Sequence, residues 1–286
     1  RDETDRRMNS QEFSGLLFIG SVGAGCLGAL TGLGGGVVIV PLLTLMFGVD
    51  LRYAIGASLI SVIATSSGSA SAYVRDGYSN VRIGLFLEIA TSLGAVTGAG
   101  LASFVPTKGL AILFGVVLLY SAFASKEHHQ SGSTKPPAPH SLGERLKLNG
   151  AYPTANGWTK YSVIRVPLGF FIMLVAGVLS GLLGIGSGAV KVLAMDQAMR
   201  LPFKVSTTTS NFMIGVTAAA SAGIYLKRGY VQPGLAMPVM LGVLIGSLIG
   251  AKVLMRSSVG RLRIIFRLVI LVLAVEMMYS GFTGKI

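Results

Sequence analysis

The chain repeats one pattern at a fixed offset of 152 residues, and that recurrence limits its architecture more than any other feature. Gly32-Leu33-Gly34-Gly35-Gly36-Val37 returns as Gly184-Ile185-Gly186-Ser187-Gly188-Ala189 (184 − 32 = 152), and Tyr73-Val74-Arg75-Asp76-Gly77-Tyr78 returns as Tyr225-Leu226-Lys227-Arg228-Gly229-Tyr230. The same shift pairs Ser58 with Ser210, Gly94 with Gly246 and Gly98 with Gly250, so no insertion breaks the register. Duplicated apolar bundles interrupted by glycine are a common plan of secondary transporters.

The vocabulary of both copies is that of a bilayer. Hydrophobic residues make up 52% of the chain, charged residues 12%, and the mean hydropathy is +0.70, against about 25% charged in soluble domains. Apolar stretches of spanning length run over Phe13–Leu30, Tyr53–Val74, Ile83–Phe104, Leu110–Ala124, Ser162–Leu183, Val205–Leu226, Leu235–Leu254 and Leu262–Gly281. The expected fold is an all-α polytopic membrane protein with two homologous repeats, each of four spans plus one glycine-broken or re-entrant helix. The corresponding divisions are a polar tail at 1–12, a first repeat at 13–125, a polar linker at 126–160 and a second repeat at 161–286.

Val37–Val49 and Ala189–Met199 follow the glycine clusters and are too short to cross alone. If each cluster is a kink, the repeats cross an even number of times and are parallel; if each returns the chain, they are odd and inverted. Of 24 basic residues, an even topology places about 14 on the linker side and about 9 opposite, and an odd one about 15 against 8. Both put the linker in the cytoplasm.

The net charge of +13 sits in loops and at span ends, where it meets anionic headgroups of the lipid bilayer; nucleic acid is not an expected partner. Cys26 is the sole cysteine, so no intrachain disulfide forms, and the polar first ten residues lack the core of a cleaved secretory signal. Ser, Pro and Gly between Lys126 and Lys160 predict a solvated linker. It holds all three histidines, His128, His129 and His140, with no cysteine or carboxylate cluster that would complete a metal site. No metal, no other cofactor and no catalytic residue is expected: H-E-x-x-H, G-x-S-x-G and the phosphate-loop pattern are absent. The sequence is silent on oligomeric state.

Three constellations bear chemistry. Gly34, Gly35, Gly36 and Val37, with Gly186, Ser187, Gly188 and Ala189, stand where a helix breaks and a second one starts. Glycine lets backbone leave helical geometry, and irregular backbone survives in a bilayer only when buried or lining a cavity. Helix N-termini exposed there attract anions, by about 0.3 to 1 kcal/mol at a surface. Gly94/Gly98 and Gly246/Gly250, by contrast, have the four-residue spacing of close helix packing. The second constellation is hydroxyl-rich: Ser58, Ser61, Thr65, Ser66, Ser67, Ser69 and Ser71, then Ser206, Thr207, Thr208, Thr209, Ser210 and Asn211. Such groups either hold an oxyanion or bond between helices. The third is intramembrane charge: Lys191 either faces the anion or snorkels, Glu88 and Glu276 are candidates for carrying a proton, and Lys252 and Arg267 read as end-of-span anchors.

Together, Gly32-Leu33-Gly34-Gly35-Gly36 followed by Pro41-Leu42-Leu43, a small-residue second span, the Tyr-x-x-x-Gly-Tyr tail and a degenerate second copy resemble the TauE/SafE family of sulfite exporters and related anion permeases. The likeness covers about Phe13 to Gly281 outside the linker. It implies export or uptake of sulfite, sulfonates or related sulfur anions across a bacterial cytoplasmic membrane without nucleotide hydrolysis. The second copy departs from the pattern at Ser187, Lys191 and Leu193. The competing readings are a passive anion channel and a membrane scaffold or sensor.

Overall fold

The computed structural model describes residues 10–31, 35–75, 77–124, 142–154, 157–256 and 259–284. Eight long helices account for the predicted spans: α1 (Ser10–Thr31), α3 (Leu51–Arg75), α4 (Val81–Leu101), α5 (Thr107–Ala124), α7 (Val166–Leu183), α9 (Phe203–Lys227), α10 (Pro233–Arg256) and α11 (Val259–Thr283). Short helices α2 (Gly36–Pro41) and α8 (Gly188–Leu193) follow the glycine clusters, and α6 (Leu142–Arg145) lies between the halves. Among the described residues, four helices are long and apolar enough to cross a membrane: α1, α4, α7 and α10. α3 and α9, at 25 residues each, are long enough but carry the hydroxyl runs, and they pack inside the others. Such helices meet less lipid, so their lower hydropathy fits their place.

Both short helices widen into a π-helical turn, at Leu42–Met46 and at Ala194–Ala198. Pro41 precedes the first and Leu193 the second, so the wide turn does not depend on proline's missing N–H.

Glycines let the long helices touch backbone to backbone. A Cβ on Gly94 would run into Leu174 O, and one on Gly98 into Val178 O; a Cβ on Gly246 would strike Val22 O, and one on Gly250 Cys26 O. The four-residue spacing is thus a packing motif, with α4 seated on α7 and α10 on α1. These two crossings match at the 152-residue offset (246 − 94, 250 − 98, 174 − 22 and 178 − 26).

The same contacts give each helix its direction. Numbering rises together where α1 meets α10 and where α4 meets α7. It also rises together between α3 and α10 (Gly56 on Tyr230, Gly68 on Ser247) and between α4 and α9 (Gly84 beside Thr209, Ala99 beside Arg228). α5 and α11 are antiparallel, with Gly115 on Met278 and Gly281 on Ile112. The short connection from Arg75 to Val81 forces α3 and α4 antiparallel. Hence α1, α3, α5 and α10 run one way and α4, α7, α9 and α11 the other. Helices one offset apart therefore point in opposite directions, and α2 and α8 each return the chain between two helices of the same direction.

The central segment departs from the solvated linker expected of it. Residues 126–141, with the three histidines, lie outside the described residues, as do 1–9 of the tail. From Leu142 onward the segment folds: α6 leads to an antiparallel hairpin of β1 (Gly150–Thr154) and β2 (Gly157–Tyr161). Leu148, Tyr161 and Val163 are buried among Ile83, Leu87, Met195, Met199 and Val205. Asn80 ties it down, donating through Nδ2 to Leu148 O at 3.2 Å and to Tyr161 Oη at 2.7 Å while its Oδ1 caps α4 at Ile83. Turn residues in the segment obscured these apolar anchors. The hairpin also delays helix α7, whose first turn waits for Arg165 at φ +49° and Pro167.

Candidate functional site

The two glycine breaks come together. Gly36 presses into the second break: a Cβ there would lie 2.5 Å from Ser58 Oγ, 2.7 Å from Val62 Cγ2 and 2.9 Å from Gly184 O. Ser58 donates to Gly184 O at 2.7 Å. Gly186 faces the other side of the same valine, its Cβ position 3.2 Å from Val62 Cγ1 and 2.6 Å from Ile214 Cγ2. Val62 and Ile214 are each 11 residues from the start and 13 from the end of their helices (62 − 51, 75 − 62, 214 − 203, 227 − 214). The breaks thus meet at the middle of α3 and α9. Gly34 lies outside the described residues, and so does the side chain of Ala189.

The breaks are built differently. Gly35 enters α2 from a right-handed conformation (φ −62°), whereas Gly184, Gly186 and Ser187 are left-handed at φ +65°, +68° and +45°. Ser187 is the unusual one, since a side chain disfavours that region by about 1–2 kcal/mol. Its hydroxyl is buried with no hydrogen-bond partner. Non-glycine residues held this way concentrate at functional sites.

The hydroxyl run divides by role. Ser66 donates to Asn211 O at 2.5 Å, joining α3 to α9, and Ser67 is exposed and bonds back to Ile63 O at 2.9 Å. Thr209 Oγ1 accepts the N–H of Asn80 at 3.0 Å, and Thr208 donates to Tyr78 O at 2.9 Å, so both hold the α3–α4 connection. Ser210 approaches Gly188 O at 3.4 Å. What remains is a set of buried donors without partners: Ser187 Oγ, Ser206 Oγ, Thr207 Oγ1 and Asn211 Nδ2. One offset away stand Gly35, Ala54, Ile55 and Leu59. These four donors all lie in the second half, while Ser21 Oγ, Arg52 Nε and Ser79 Oγ are buried without partners in the first.

Lys191 does not snorkel. It is 0% exposed, and with Glu88 (5%) it makes up the buried charge among the described residues. Nζ donates to Thr217 Oγ1 at 2.5 Å, and Thr217 Oγ1 lies 2.6 Å from Glu88 Oε1 and 3.0 Å from Met213 O, either of which can take its single hydrogen. Ser92 donates to Glu88 Oε1 at 3.0 Å. Glu88 Oε2 has no hydrogen bond and stands 4.0 Å from Nζ. Glu276 is exposed on α11 and takes no part. Sequence reading missed the pairing and the bridging Thr217. The available signal was that Thr217 aligns with Thr65 while both charges lack an aligned charge (Ile39 and Met240).

A second missed feature lies at the two faces. Arg52 sits over the Tyr230 ring and Lys204 over the Tyr78 ring, each 5.8 Å from the centroid. The pairs correspond at the offset (204 − 52, 230 − 78) yet occupy opposite ends of the helices. Arg52 is held more firmly, donating to Tyr230 Oη at 3.2 Å and Val105 O at 3.4 Å. Among the described residues no three His, Cys, Asp or Glu side chains gather in a way that would hold a metal.

Comparison with known proteins agrees with the helical membrane architecture. The chain is 27% identical over 267 residues to the probable membrane transporter protein YunE of Bacillus subtilis, covering 90% of this chain and 94% of that one. It is 28% identical over 229 residues to the probable membrane transporter protein YdhB of the same organism, covering 77% and 82%. A probable membrane transporter protein of Methanocaldococcus jannaschii is 26% identical over 280 residues, covering 92% and 94%. No solved structure matches the chain. The profile of the sulfite exporter TauE/SafE family matches residues 17–277, and the chain belongs to that family.

Proposed function

We propose that this membrane transporter is a secondary carrier of a small sulfur-containing anion, such as sulfite or a sulfonate, through one path between two homologous, inverted halves. The observation that carries the reading is the meeting of two glycine-broken helices at mid-length of α3 and α9, beside buried donors that no protein group satisfies. Buried polar groups are ordinarily paired; unpaired donors with one nearby ammonium and few carboxylates suit an oxyanion. The proposed site comprises Gly34–Val37, Gly186–Ala189, Lys191, Ser210 and Asn211, with Ser66 and Thr209 fixing the helices that frame it. Glu88 is the proposed proton carrier; the exposure of Glu276 gives that residue no comparable support.

The opposed helix directions and matched crossings favour homologous halves at 13–125 and 161–286, with 1–12 as a tail and 126–160 as a connection. An odd crossing number puts about 15 basic residues on the linker side against about 8, which makes that side cytoplasmic in a bacterial inner membrane. Alternating access then opens one face at a time, and the Arg52–Tyr230 and Lys204–Tyr78 pairs are suited to close the two mouths.

The test is flux into proteoliposomes over sulfite, thiosulfate, sulfoacetate, taurine, sulfate and chloride. Saturable flux with counterflow, confined to sulfur anions, supports the carrier; non-saturating flux indicates a channel, and no flux a scaffold or sensor.

A further inference from the structure

We infer that Lys191 and Glu88 form a proton-linked anion-exchange pair. With the site empty, Glu88 is the internal counter-ion of Lys191; the transported anion takes its place, and Glu88 accepts a proton. The inference rests on the transporter reading above and adds its coupling and the charge of its substrate.

The fold does not require this pair. The equivalent niche has Ile39 for Lys191, Met240 for Glu88, Leu244 for Ser92 and the same threonine, Thr65 for Thr217. Ile39 is 0% exposed, so an apolar side chain fills that place completely. Buried ion pairs usually add little stability over hydrophobic residues of similar volume. This one is also poorly made: Nζ and Oε2 stand 4.0 Å apart, and the link runs through Thr217. Lys191 lies one turn into α8, three residues beyond Gly188, whose carbonyl faces Ser210. An ammonium has three N–H donors, and Thr217 takes one in the described hydrogen bonds.

Glu88 is arranged to take a proton without rearrangement. Oε1 carries both bonds, from Ser92 and Thr217, while Oε2 carries none. Protonation at Oε2 leaves the Oε1 bonds in place, and Thr217 can also turn its hydrogen to Met213 O. Among the described residues neither Lys191 nor Glu88 is hydrogen-bonded or ion-paired to any other ionisable group. On α5, which touches α8, Lys108 and Tyr120 are exposed. Arg82 on α4 is exposed beside Lys147, and Lys204, Tyr225 and Lys227 lie two or more turns along α9 from Thr217. Asp196 lies beyond α8 in the π turn, and α7 has no ionisable residue.

The charge balance fixes the stoichiometry. The empty pair is neutral. A monovalent anion on Lys191 keeps the site neutral only if Glu88 takes up one proton, whereas a dianion leaves one charge unbalanced in a low-dielectric place. The substrate is therefore a monoanion, of the sulfonate or bisulfite type, carried together with a proton. Its binding strengthens as pH falls.

The experiment is flux of methanesulfonate and sulfate into proteoliposomes of the full chain, with an internal pH dye and a potassium–valinomycin potential. Wild type should move methanesulfonate with one proton, indifferent to potential, and discriminate against sulfate. In Glu88→Gln methanesulfonate flux should fall, and the flux that remains should lose its pH dependence and proton movement and become sensitive to potential. Lys191→Met should weaken binding about 10- to 150-fold, as loss of a charged hydrogen bond does. Proton-coupled flux persisting in Glu88→Gln, or sulfate carried as well as methanesulfonate by wild type, overturns the coupling while leaving the transporter reading intact. Absence of any sulfur-anion flux in wild type overturns both.

Discussion

Two niches of this molecule share a backbone plan and differ in chemistry. Around Thr217 stand Lys191, Glu88 and Ser92; the positions one offset away are Thr65, Ile39, Met240 and Leu244. Thr65 and Ile39 are buried, as are Thr217, Lys191 and Glu88, and each set includes a residue of a short returning helix packed on a 25-residue helix. The apolar counterpart serves as an internal control: where Lys191 stands in one half, Ile39 is fully buried in the other. Burying an ammonium and a carboxylate at 4.0 Å is then better explained by work done on an ion than by stability. Likewise, the unpartnered donors Ser187, Thr207 and Asn211 correspond to the apolar or small residues Gly35, Ile55 and Leu59.

The largest effects come from breaking the charged niche one residue at a time. Lys191→Met leaves Glu88 buried without its cation and should lower stability by about 3–5 kcal/mol, the penalty for an orphaned buried charge; the equivalent change in the other half, Ile39→Met, keeps volume and should stay under about 1.5 kcal/mol. Thermal melting in detergent compares the two. Next comes the junction of the breaks. Gly36→Val drives a side chain into Ser58, Val62 and Gly184 O, with overpacking of about 1–3 kcal/mol and abolished transport; retained flux would separate the breaks from the path.

Smaller effects sharpen the comparison of the faces. Tyr230→Leu and Tyr78→Leu each remove a cation–π contact of about 0.5–2 kcal/mol. The Tyr230 change should be larger because Arg52 also donates to its hydroxyl; cysteine labelling from each side of the membrane reads which mouth opens. The smallest change in stability is expected from Ser187→Gly. Relief of about 1–2 kcal/mol of left-handed strain is largely offset by about 0.5–1 kcal/mol of added backbone entropy. Melting should hardly move while anion affinity falls, since a buried donor is lost.

Much of the fold was readable because duplication and hydropathy are local properties. Gly94, Gly98, Gly246 and Gly250 announced close packing, and the eight apolar stretches became eight helices. Direction was not readable, because apolar composition is unchanged by reversing a helix; only contacts such as Gly68 on Ser247 supply it. The hairpin escaped notice because its few anchors, Leu148, Tyr161 and Val163, are scattered among turn residues. Of the residues that the sequence marked as candidates, the glycine breaks meet, and Ser187 and Asn211 keep buried donors without partners. The roles of Ser66 and Thr209 in joining elements did not show, because α3 and α9 are covered on most sides and have no polar face to mark the path. Lys191 and Glu88 are 103 residues apart (191 − 88), and the packing of both α4 and α8 on α9 brings them together.

The central claim is that the charged niche serves the ion and not the fold. The most direct measurement converts it into its counterpart, Lys191→Ile with Glu88→Met, and follows thermal melting and sulfite binding on the same purified protein. Stability unchanged or raised by about 1–4 kcal/mol, with sulfite binding lost, is the predicted result. A clear loss of stability, or sulfite bound as tightly as by wild type, would contradict it.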